Sequence, residues 1–88
     1  MSRVKFISNG GQKQFLKQVL EKTNSPSIRE LANRLGINYS SLKNNFSGRR
    51  LLSENLFQDL CIIGNIPETK FKTELIKDNW GHIKGGKN

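Results

Sequence analysis

The stretch from Ser27 to Gly48, SIRELANRLGINYSSLKNNFSG, narrows the possible folds more than any other part of the chain. It opens with Ser27-x-x-Glu30. The hydroxyl can accept from the Glu30 amide while the carboxylate reaches back, so two donors that a helix start leaves open are satisfied. Ile28, Leu31, Ala32 and Leu35 then recur at i, i+3, i+4 and i+7, one apolar stripe at helical period. Gly36 stands where a left-handed residue ends a helix without a Cβ penalty, and Ile37 follows as a plug in the turn. Asn38 is an N-cap for a second short helix that carries Leu42 and Phe46 on one face and closes at Gly48. Two short helices around a glycine-centred turn describe a helix-turn-helix, although a plain helical hairpin in a small bundle meets the same pattern.

Charge adds a direction. The chain has 88 residues, a net charge of +8 and a pI near 10.1, which suits a polyanionic partner. Residues 1–52 hold ten Lys or Arg and two acids, whereas residues 53–88 hold five of each. The whole excess therefore lies on the half that contains the paired helices.

The remaining segments read as a small support for that pair. Residues 1–11, MSRVKFISNGG, form a short extended segment with Val4 and Phe6 apolar, ending in an Asn-Gly-Gly turn. An edge strand or packed terminus is the expected form, and a basic arm carrying Arg3 and Lys5 is the alternative. Gln12 to Thr23 is a first helix with Phe15, Leu16, Val19 and Leu20 on one stripe. Near its start, Lys13 or Gln12 could reach a phosphate. Thr23-Asn24-Ser25-Pro26-Ser27 ends this helix, since Pro26 denies the preceding residue its helical conformation. Ser53 caps a helix over residues 54–63, in which Leu56, Leu60 and Ile63 align and Cys61 is a small buried hydrophobe. Residues 68–78 fit a helix through Phe71 and Leu75, or a strand through Phe71, Thr73 and Leu75. A Pro67-Glu68 start favours a short helix. Trp80 is expected to cover the small core, and residues 84–88 to form a flexible basic tail. A basic arm with Trp80 or His82 stacking on nucleic acid is the sharper alternative.

The spacing in the central stretch carries a resemblance. Ala32 sits where two helices cross closely, Gly36 follows, Leu42 lies beyond it, and Gly48-Arg49-Arg50 ends the second helix. This arrangement resembles the DNA-binding helix-turn-helix of the Cro and phage-repressor family. One departure is Asn45, where that family places an apolar or aromatic residue; Phe46 comes one step later. More faintly, Trp80-Gly81-x-x-Lys84-Gly85-Gly86 and Asn9-Gly10-Gly11-Gln12-x-x-Phe15 resemble small archaeal helix-turn-helix proteins, and that likeness names no activity.

Together these readings predict an all-α fold, a four- to five-helix repressor-like domain over residues 1–83. The expected function is sequence-specific binding of duplex DNA in transcription regulation. The second helix of the motif would enter the major groove. Tyr39, Ser40, Lys43 and Asn44 would read bases: Asn44 can pair bidentately with adenine and Lys43 can donate to guanine. Tyr39 shares a face with Leu42 and Phe46 and can pack inward instead. Ser27, Arg29, Arg49 and Arg50 would hold the phosphate backbone. A protein-interaction or antitoxin-like module, and RNA binding through the basic half and tail, are the alternatives. A homodimer or a partner protein is compatible with either.

Catalysis lacks parts. The seven acids stand singly, His82 is the one histidine, and no glycine-rich phosphate loop appears, so neither an enzyme, a metal site nor a cofactor is expected. Cys61 is the one cysteine, which excludes an intrachain disulfide. The start has no apolar leader and no stretch reaches the ~20 apolar residues of a membrane span, so a cytoplasmic setting is expected.

Overall fold

The computed structural model describes residues 2–77. The elements in chain order are strand β1 (Ser2–Phe6), helices α1 (Gly11–Lys22), α2 (Ile28–Leu35) and α3 (Tyr39–Ser47), the two-residue strand β2 (Leu52–Ser53), helix α4 (Glu54–Gly64), a single 3-10 turn (Glu68–Lys70) and strand β3 (Thr73–Lys77). The strands form one antiparallel sheet in the order β2-β1-β3.

The all-α expectation is therefore wrong: the fold is mixed, with four helices packed against a three-stranded sheet among the described residues. The N-terminal segment is the central strand. Arg3 and Val4 pair with Ser53 and Leu52 on one side, and Ser2 through Phe6 pair with Lys77 back to Thr73 on the other. The short-helix expectation for residues 68–78 is also corrected as far as residue 77, where the described residues end. Pro67 does start a helical turn, but it ends at Lys70, and the chain then runs extended beside β1. Phe71 explains the switch. Its ring packs edge-on against Phe6 and Phe15 at 5.8 and 5.7 Å, and that position delivers the following residues to the open side of β1.

The helical pair forms as its caps dictate. The Ser27 hydroxyl accepts from the Glu30 amide at 3.2 Å, and the Asn38 side chain accepts from the Ser40 amide at 2.7 Å. Such a cap contributes about 1 kcal/mol. Gly36 and Gly48 close α2 and α3 at φ +70° and +87°, a region that strains any residue with a Cβ. Arg34 of α2 donates to the Thr23 carbonyl at the end of α1, tying the pair to the helix beneath it.

Leu31, Ala32 and Leu42 bring the pair onto a core completed by Phe15, Leu16 and Val19 of α1, Phe57, Leu60 and Cys61 of α4, and Val4, Phe6 and Leu52 of the sheet. Fully burying one such leucine contributes roughly 1.5–3 kcal/mol. Ile37, Tyr39 and Phe46 are only half-buried at its margin. The core sits under α2 and α3, and their outer sides stay in solvent.

Candidate nucleic-acid interface

On the solvent side of α3, Ser40, Lys43, Asn44 and Ser47 line one shallow depression together with Arg49. Helical spacing places them there: Ser40, Lys43, Asn44 and Ser47 stand at i, i+3, i+4 and i+7, while Leu42 and Asn45 turn inward. Lys43 and Arg49 are exposed and Asn44 is half-buried. Three of the four residues expected to read bases are thus brought together, with one of the arginines expected to hold phosphate.

The fourth lies elsewhere. Tyr39 packs against the core cluster, and its outer ring face is covered by the Arg29 guanidinium, whose Cζ stands 4.3 Å from the ring centroid. This contact joins the first turn of α2 to the first turn of α3. It sets the guanidinium over the ring, on a residue that stays exposed. Ser27 is exposed and spends one acceptor position on its cap, so its hydroxyl proton remains able to meet an anion.

Arg49 and Arg50, both exposed, leave α3 on a backbone gripped from several sides. The Asn44 carbonyl accepts from the amides of Arg49 and Arg50 at 3.0 and 3.3 Å. The Arg50 carbonyl accepts from Gln12 Nε2 at 2.8 Å and from Asn45 Nδ2 at 3.1 Å. The Leu51 carbonyl accepts from Asn45 Nδ2 at 3.3 Å and from Arg3 Nη1 at 3.1 Å. The Leu52 amide donates to Gln12 Oε1 at 3.3 Å.

Sequence reasoning missed this arrangement. Gln12, offered with Lys13 as a residue that could reach a phosphate, is 8% exposed, and Asn45, the departure from the repressor-like pattern, is 5% exposed. A signal was present. Gln12 stands at the head of the Phe15, Leu16, Val19 stripe, and Asn45 stands three residues after buried Leu42, so both occupy inward positions.

Other candidate chemistry is sparse. Burial, with a smaller push from the Glu68 carboxylate, raises the Cys61 thiol from 9.0 to about 11 and keeps it neutral. Among the described residues no group of His, Cys, Asp and Glu is placed to hold a metal, and no helix is long and apolar enough to cross a membrane. Trp80, His82 and the basic segment 84–88 lie outside the described residues. No family model, curated protein or solved structure matches the chain.

Proposed function

We propose that this chain binds duplex DNA in a sequence-dependent way through α3, as a transcription regulator. The observation that carries the reading is the depression on α3, which Ser40, Lys43 and Asn44 line beside Arg49. An α-helix fits the major groove, about 12 Å wide. There Lys43 would donate to guanine O6 and N7, Asn44 would take adenine N6 and N7, and Ser40 would bond either base. Arg49 and Arg50 beyond the end of α3, with Ser27 and Arg29 at the start of α2, would meet phosphates on the two sides of the groove. The excess of basic residues over residues 1–52 supplies the long-range attraction.

Titrating labelled duplex DNA over a range of salt concentrations tests this. With roughly four to six phosphates neutralised, log K should fall against log salt with a slope near about −4 to −5. A flat dependence refutes nucleic-acid binding, and preference for single-stranded RNA at equal salt would move the reading to RNA. A protein-interaction module is the second reading, favoured by Ile62 of α4, which is 75% exposed. Substitution of Ile62 by Lys should leave duplex binding unchanged under the first reading.

A further inference from the structure

We infer that Gln12 and Asn45 are positioning residues for Arg49 and Arg50, holding the exit from α3 in the shape that presents both guanidinium groups to a polyanion. The inference rests on the nucleic-acid reading of this face. Two buried carboxamides meet on three consecutive residues. Gln12 supplies both of its donor hydrogens, to the Asn45 and Arg50 carbonyls, and its oxygen takes the Leu52 amide. Asn45 supplies its own to the Arg50 and Leu51 carbonyls. The Arg50 carbonyl thus receives a donor on each lone pair, and its amide is tied back to Asn44.

Helix packing alone does not call for this. Methionine or leucine would fill the same space without burying polar groups that must then be satisfied. What the carboxamides provide, and apolar side chains cannot, is a fixed backbone outside regular structure. Two of the three carbonyls they bond, those of Arg50 and Leu51, belong to the segment that carries the two exposed arginines. A segment ordered before contact loses less freedom on binding, so the arginines bind phosphate more tightly than they would from a free loop.

The test is a double-mutant cycle with a labelled random-sequence duplex, read by anisotropy across salt concentrations. Gln12→Met and Asn45→Leu are each made in the parent and in an Arg49→Ala/Arg50→Ala background. Thermal melts fix a working temperature at which every variant is folded. The expected result is that Gln12→Met weakens binding about tenfold in the parent and less than about twofold in the arginine-free background, because a positioning residue has no effect without what it positions. The salt slope of Gln12→Met should also move toward that of the arginine-free chain, which is lower by about 1.8 for two phosphates. In the free protein, hydrogen exchange at the Leu52 amide should quicken in Gln12→Met while the Leu31 and Leu42 amides stay slow. Equal losses in both backgrounds, or no loss in either, overturn the inference and leave the function standing. A parent chain that shows no salt-dependent binding overturns the functional reading itself, and the inference with it.

Discussion

Gln12 Nε2 lies 2.7 Å from the carbonyl oxygen of Asn45, so the first turn of α1 is bonded to the last turns of α3 across the interior. The Asn45 side chain continues the link outward to Arg50 and Leu51. Replacing Asn45 by Asp should therefore destabilise the domain more than replacing it by Leu. The carboxylate would face two carbonyls with no donor to offer, and leaving buried acceptors unpaired beside a charge costs about 3 kcal/mol or more, against about 1–3 kcal/mol for losing the donors alone. Urea melts at neutral pH compare the two, and the order should reverse as the Asp variant is protonated at low pH.

Base reading and phosphate holding should separate by substitution. Arg49→Ala and Arg50→Ala are expected to weaken preferred and random duplexes alike, since phosphates carry no base identity. Lys43→Ala and Asn44→Ala should each cost about 1–3 kcal/mol on the preferred site and little on random DNA. Sites selected from random duplexes supply the preferred sequence, and equal losses on both duplexes for all four variants would remove α3 from the groove.

Tyr39 should act through its ring rather than its hydroxyl. Tyr39→Phe keeps the face that lies under Arg29, so stability should stay within about 0.5 kcal/mol and duplex affinity should be unchanged. Arg29→Ala removes the cation above the ring and the proposed phosphate contact together, with a stability cost of about 0.5–1 kcal/mol at this exposed position. A large affinity loss in Tyr39→Phe would return the phenol to the base-reading set.

Two residues paired across the sheet should respond unequally to truncation. Val4 is 1% exposed and its partner Leu75 is 58% exposed, although both lie on the core side of the sheet. Val4→Ala should cost about 2 kcal/mol and Leu75→Ala no more than about 0.5 kcal/mol, measured by chemical denaturation.

The Cys61 thiol sets a pH dependence. Below pH 9.0 the thiol keeps its proton in folded and unfolded chains alike. Between that value and about 11 the unfolded chain releases it while the folded one retains it. Ionisation then favours unfolding, so stability should fall across this window. Denaturation of the parent and of Cys61→Ala at several alkaline pH values isolates the effect as a difference in slope. The thiol should also resist thiol reagents near neutral pH until the protein is unfolded.

The helical pair was legible because everything that specifies it is local. Ser27 caps an amide three residues on, Gly36 and Gly48 turn the chain at once, and Leu31, Ala32 and Leu42 lie on short-period stripes. The sheet was not legible, since the partner of Phe6 is Thr73 and no local periodicity connects them. Alternation through Phe71, Thr73 and Leu75 fits a strand, but β3 leaves Leu75 and Ile76 exposed, so no buried face decides for it against the Pro67-Glu68 helix start. On the proposed interface, Ser40, Lys43 and Asn44 followed from helical spacing. Gln12 and Asn45 did not: the polarity of Gln12 suggests a phosphate contact and Asn45 stands only as a departure from the repressor-like pattern, although both positions point inward.

The middle place of β1 in the sheet has a consequence for the order of events in folding. Its two neighbours come from Leu52–Ser53 and Thr73–Lys77, so the earliest strand of the chain has no complete pairing until the latest described strand exists. Helices that close over a few residues form within about a microsecond, whereas joining distant strands waits on closure of a long loop. The capped pair can thus reach its final shape while the sheet beneath is still open. Refolding followed at two probes should then show helix signal leading and β1–β3 contact trailing, with substitutions at Val4 slowing only the second step.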